Sequence, residues 1–259
     1  MSKGQDETTS LDICRLCLNR SELCNSHIIP EFFYEQMNLY DPKHRFNVIS
    51  TESGKHRPAA QKGIRERLLC KQCEGKLSAW ENYARRVLYG GECIEITTND
   101  PKGVECTVDY AQFKLFQLSI LWRVGISNHD GFSSVRLGEH EDVLRQMLLD
   151  KNPGNTEAYG CIIIYSTKHT DITSNKIHCM GMSNVGGVDC VRLLLGGFFW
   201  LFYLSESAID PCQKELFLQN SGHLRILKSD KDPNQYIERL AVDLHRSNPR
   251  RFDQLDDAT

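Results

Sequence analysis

The sequence has no apolar run long enough to cross a bilayer. Its longest, Leu193 to Leu204, covers 12 residues and is interrupted by Gly196-Gly197, whereas a spanning helix needs roughly 18–20. Met1 to Ser10 is polar and lacks the apolar stretch of a secretory signal. The chain is therefore expected in the cytoplasm and away from membranes. Neither sign of charge dominates. There are 31 Lys and Arg against 34 Asp and Glu, a formal net charge of -3, so overall charge neither demands nor excludes a polyanionic partner. Gly-x-x-x-x-Gly-Lys and Gly-x-Ser-x-Gly are both absent, so two common phosphate-binding and nucleophile motifs are missing. No internal repeat is visible. What remains is an ordinary soluble composition: 259 residues, 40% hydrophobic and 25% charged. That length buries a sizeable core without disulfide support.

Cysteine is the exception. There are 11, an odd number, and with no secretory signal a disulfide framework is not expected. Four form two tight pairs, Cys14/Cys17 and Cys70/Cys73. The other seven are scattered, the usual pattern of small buried hydrophobes.

The pattern along the chain divides it. Residues 1–10 read as a disordered tail. Residues 11–92 carry both Cys pairs, with a polar loop over 41–65. From Cys70 a helix is expected, because Leu77, Trp80, Ala84, Val87 and Leu88 share one face and Gly90-Gly91 supplies a C-cap. A second part, 105–246, opens with an amphipathic helix over 109–127. Phe113, Phe116, Ile120, Leu121 and Val124 lie on its apolar side. A helix over 138–150 follows. The period then changes to that of strands at Tyr159–Ser166, Ile177–Ser183, Val188–Leu195, Phe198–Ser205, Leu216–Gln219 and Leu224–Lys228. Gly196-Gly197 is a two-residue hairpin turn, and Asn220-Ser221-Gly222 is another turn. Asp232-Pro233 starts a closing helix to about Arg246, and 247–259 is a polar tail. The expected class is α+β: a small Cys-paired module whose second pair opens a helix, as in a treble-clef finger, then helices, an antiparallel β-sheet and a closing helix.

Two Cys-x-x-Cys pairs separated by 52 residues are the strongest signal. Each pair grips one ion from a tight turn, and Cys14, Cys17, Cys70 and Cys73 together make a closed four-thiolate site that suits structural Zn²⁺. Cys24-x-x-His27 is a competing ligand pair. Between Lys43 and Arg86 eleven bases face four acids, a local charge of +7 that leaves -10 on the rest. This asymmetry points the module toward a polyanion, with Lys55, Arg57, Lys62, Arg65, Arg67, Lys71 and Lys76 as phosphate-binding candidates. His44 and His56 lie in the same loop. The alternative is a solvated surface.

His27 follows the first pair in Ser26-His27-Ile28-Ile29-Pro30. The helix after Cys73 presents Glu74, Ser78, Glu81 and Arg85 along one stripe. A neutral imidazole takes a proton from water, and a carboxylate holds a divalent ion against a phosphate.

These elements, with Leu69-Cys70-x-x-Cys73-Glu74-x-Lys76 and Leu77, Ser78, Trp80 and Glu81 beyond, resemble the zinc-containing HNH (ββα-metal) endonucleases. The likeness is to a poorly characterised bacterial branch and covers about residues 11–90. It implies a ββα fold around one catalytic Mg²⁺ or Mn²⁺, with His27 as general base. Two positions depart from the family pattern: Ser26 stands where a metal-binding Asp is usual, and Glu74 where an Asn or His is usual. Either Glu74 or Glu81 then takes the ligand role, or the site is degenerate. The expected activity is phosphodiester hydrolysis on nucleic acid, DNA ahead of RNA, by analogy in bacterial defence. A second copy or a partner protein would meet the C-terminal part. The alternatives are a non-catalytic zinc module that binds nucleic acid, or a protein-interaction domain.

Overall fold

A computed structural model of the chain describes residues 11–36, 63–91, 95–100, 102–166, 177–206 and 209–229. The bases Lys55, Arg57 and Lys62, the loop histidines and the closing helix expected over 232–246 lie outside them.

The N-terminal part is a three-stranded antiparallel sheet, β1 (Leu11–Ile13), β2 (Arg20–His27) and β3 (Arg65–Cys70), in that order. A bulge interrupts β2–β3 pairing between Cys24 and Asn25. A short helix α1 (Glu31–Gln36) follows β2, and α2 (Lys71–Tyr89) grows directly out of β3. The helix expected from Cys70 is thus present and ends at Gly90. Arg65 belongs to β3, not to the loop expected over 41–65. The apolar face of α2 buries Leu77, Trp80, Ala84 and Val87 as the periodicity requires.

Seven strands form the second sheet: β4 (Glu95–Asp100), β5 (Gly103–Thr107), β10 (His223–Ser229), β6 (Cys161–Ser166), β9 (Phe198–Tyr203), β8 (Val188–Leu195) and β7 (Ile177–Val185), in spatial order. Every pairing is antiparallel except β10 with β6. Gly196-Gly197 makes the β8–β9 hairpin turn, with φ of 58° and 83°, the left-handed pair such a turn demands. Gly186-Gly187 does the same between β7 and β8. One expectation fails in this region. Leu216–Gln219 is not a strand: Leu216 ends the turn after the short helix α5 (Pro211–Lys214), and the next three residues are irregular. Phe217 plugs the core against Tyr203, and the Gln219 amide caps the carbonyls of Lys214 and Phe217. A short apolar run carries no period to separate such a plug from a strand. Strands β4 and β5 lie where the sequence raises no expectation: Thr97, Thr98, Asn99 and Asp100 of β4 show no apolar alternation, and β5 offers only Val104 and Cys106. An edge strand such as β4 needs no such alternation.

Helix α3 (Tyr110–Ile126) differs from expectation too. Asp109 caps it by accepting from Gln112 N at 2.9 Å. However, it is buried around its whole circumference rather than along one stripe, because it packs between α2 and α4 (His140–Asp150). Phe116 meets Phe33 of α1 and Trp200 of β9, centroids 6.5 and 6.0 Å apart. One hydrophobic cluster therefore runs from Cys14 to Leu224, across the boundary expected between 92 and 105.

The enclosure of α3 captures two cations. Lys114 Nζ donates to the carbonyls of Thr156 at 3.4 Å and Tyr159 at 3.2 Å. Burial pushes its pKa down to about 8, against weaker upward pulls from Cys161 and Glu206. Between pH 8 and 10.5 the unfolded chain therefore holds a proton that the folded chain has released, so this group's contribution to stability rises with pH. The shift corresponds to about 3 kcal/mol. Denaturation of wild type and Lys114→Met across this window should show their stability difference moving in wild type's favour by that order. A flat difference would place the ammonium in water-like surroundings. The second captured cation is Arg123.

Candidate metal centre and the adjoining histidine site

Cys14 and Cys17 sit in the knuckle between β1 and β2. The turn is closed by Leu18 N donating to Cys14 O at 2.8 Å and Cys14 N to Asn19 O at 3.0 Å. Arg15 N reaches Leu68 O of β3 at 2.9 Å, which holds the knuckle over the hairpin. Cys70 occupies the N-cap of α2, and Cys73 lies in its first turn. No side chain caps this helix; the thiols stand at its positive end, which favours anionic sulfur. The four Sγ atoms all lie within 4.8 Å of one another, and Cys17 Sγ is 3.9 Å from Cys70 Sγ. A tetrahedron of Zn–S bonds has an edge of about 3.8 Å, so the donor set and its size fit one thiolate-bound ion. Cys70 N donates to Cys14 Sγ at 3.3 Å. Although burial raises the Cys14 thiol, the backbone amides of Cys17, Cys70 and Leu16 outweigh it and bring the pKa to about 7. Burial and the neighbouring thiols drive Cys73 up. Four adjacent thiols cannot all ionise without a cation among them, and a metal ion would supply one. Neither Cys24 nor His27 belongs to the cluster.

His27 ends β2, with its side chain 12% exposed. Its Nε2 is buried without a hydrogen-bond partner, 3.8 Å from Glu31 Oε1. Arg65, its cross-strand partner, pairs with the same Glu31 oxygen at 3.1 Å. The Tyr34 ring lies 6.1 Å away. Burial first, then the Arg65 charge, lowers the imidazole pKa below its ordinary value, against upward pulls from Glu31 and Glu81. The ring is neutral at pH 7.

The other two candidate carboxylates are separately engaged. Ser26, fully buried, donates its hydroxyl to Glu74 Oε2 at 2.6 Å. The two positions that depart from the family pattern thus touch each other. Glu81 pairs with Arg123, not with Arg85 one turn on, at 2.6 Å. Of the basic candidates described, Arg67 and Lys71 are exposed and Lys76 is half-buried, while Arg65 is committed to Glu31.

Sequence reasoning missed Arg123, Glu31 and Glu66. Arg123 NH1 donates to His27 O at 2.8 Å, and its Nε to Ser119 O at 3.2 Å. Glu66 accepts from Ser127 Oγ and from the backbone N–H groups of Asn128 and His129, both at 3.2 Å. The available signal for Arg123 was that it is the only charged residue of the helix beyond Lys114, set among Leu118, Ile120, Leu121, Trp122 and Val124.

No family model, curated protein or solved structure matches the chain. Among the described residues no helix is long and apolar enough to cross a membrane.

Proposed function

We propose that residues 11–90 form a treble-clef, HNH-like unit, stapled by Zn²⁺ on Cys14, Cys17, Cys70 and Cys73, that hydrolyses phosphodiesters in nucleic acid. The observation that carries this reading is the buried, unpartnered Nε2 of His27 on an imidazole held neutral at pH 7. A ring in that state accepts a proton from water. Glu81 is already compensated by Arg123, which leaves Glu74 as the candidate carboxylate to hold Mg²⁺ or Mn²⁺; because Glu74 meets Ser26, on the opposite face of β2 from the His27 side chain, the nucleic acid would have to span that strand for both to act on it. Such an ion would stabilise the negative charge that develops on the non-bridging phosphate oxygens and the leaving oxygen. Arg67, Lys71 and Lys76 hold backbone phosphates, joined by Lys55, Arg57 and Lys62. The cytoplasm is the proposed location.

The test is nicking of supercoiled plasmid, and of RNA, by the full chain with Mg²⁺ or Mn²⁺. The contact between Ser26 and Glu74 favours a second reading, a zinc module that binds nucleic acid without cutting it. Binding without nicking under any divalent ion would select that reading. In either case affinity should fall steeply with salt. If about five basic side chains meet phosphates, log K against log salt should slope near -4 for duplex DNA. A flat response would point to a protein partner instead.

A further inference from the structure

Arg123 belongs to α3, outside the 11–90 unit, yet it ends inside that unit. It is 1% exposed. One guanidinium nitrogen donates to the backbone carbonyl of His27 and another pairs with Glu81 in the middle of α2. The planar fork thereby joins the end of β2 to the face of α2, the two elements that flank the histidine. A second tie runs parallel, from Glu66 of β3 to Ser127, Asn128 and His129 just beyond α3. Both ties come from the same helix end, so the position of His27 depends on where α3 terminates.

We propose that Arg123 is a positioning residue: it fixes the His27 backbone against α2, so that the histidine site is completed only by the C-terminal part of the chain. Its catalytic consequence rests on the nuclease reading above; the positioning itself does not. A lysine could reach one of the two partners but has no fork to span both. A neutral side chain would leave Glu81 charged and uncompensated, and the fold would suffer for that reason alone.

The test therefore compares full-length wild type with Arg123→Lys and with Arg123→Met/Glu81→Leu, which removes both charges together. Zinc per chain and thermal melting establish that the fold is retained. Should the double variant lose zinc or unfold, Arg123→Lys stands in for it under the same readouts. The informative signals are the ¹³C shift of the His27 carbonyl, hydrogen exchange of the Ile28 amide, which is bonded to Ile64 O at 3.0 Å, and kcat separated from DNA affinity. Expected are a displaced carbonyl signal, Ile28 exchange faster by about tenfold, and kcat lower by about 10²-fold at unchanged affinity, with partial recovery in Arg123→Lys. A folded variant with unmoved signals and wild-type kcat overturns the proposal. If wild type cuts nothing, the nuclease reading falls on its own. The carbonyl shift and Ile28 exchange then decide: displaced signals uphold the positioning role, and unmoved signals overturn it.

Discussion

Freshly purified protein is expected to carry one Zn²⁺ per chain, and Cys70→Ser to lose both the metal and the fold. A closed thiolate site contributes on the order of 10 kcal/mol to the folding of a small zinc unit. That is comparable to the whole stability of an ordinary domain, about 5–15 kcal/mol. Apart from the fully buried Leu16 side chain, worth about 1.5–3 kcal/mol, the knuckle has little else to hold it. Strand β1 is three residues long, and Leu11, Ile13 and Leu18 are exposed. Its other ties are backbone bonds such as Arg15 N to Leu68 O and the surface pair Arg15–Glu141, the latter a contact of little worth in water. Cys70 is the most damaging ligand to change, because it is at once the end of β3, the N-cap of α2 and a donor to the ion. The hydrophobic cluster continues from this unit into α3 and the seven-stranded sheet. Chelation should therefore lower a single melting transition for the chain rather than release one of two. Metal analysis well below one zinc per chain, or a Cys70→Ser protein with wild-type melting, would remove the metal from the account.

The parts of this fold that the sequence announces are those where one local rule acts alone. The start of α2 is legible because Cys-x-x-Cys spacing, an apolar stripe and Gly90-Gly91 agree. The β8–β9 hairpin is legible because a double glycine between two apolar runs has one common solution. The four-cysteine cluster is legible because ligand spacing survives without knowledge of the fold. The failures share a cause as well. α3 reads as amphipathic because Lys114, Gln117 and Arg123 are polar, but its surroundings are set by residues far away in sequence, and those surroundings bury all three. The role of Arg123 depends on His27, 96 residues away. No periodicity within a window of α3 contains that partner. The same holds for Glu66, which reads as one of four acids among eleven bases until Ser127 and His129 are placed beside it. His27 itself was legible as a candidate, but its isolation from Glu74 was not. Ser26 and His27 are adjacent, and successive strand residues leave on opposite faces. Ser26 accordingly takes Glu74, while His27 meets Glu31 and Arg65.

On the nuclease reading, His27→Ala should abolish cleavage while leaving zinc content and nucleic-acid affinity nearly unchanged. A general base acts on water in the transition state, so its removal lowers rate rather than binding, by roughly 10²–10⁴-fold. The structure lets this variant be clean. His27 Nε2 holds no hydrogen bond that would be orphaned, and the bond from Arg123 goes to the backbone carbonyl, which alanine keeps. The two carboxylates should then part company. Glu74→Gln retains an acceptor for Ser26 but weakens a divalent-ion site, so added Mg²⁺ or Mn²⁺ should restore part of the activity. Glu81→Gln should respond to no metal. It strands a buried guanidinium, and breaking such a pair costs about 3–5 kcal/mol, so its signature is a lowered melting temperature. Recovery of Glu81→Gln by extra divalent ion, with Glu74→Gln indifferent, would exchange the two roles. Loss of zinc from His27→Ala would make the histidine a structural ligand, and its part in catalysis would end there.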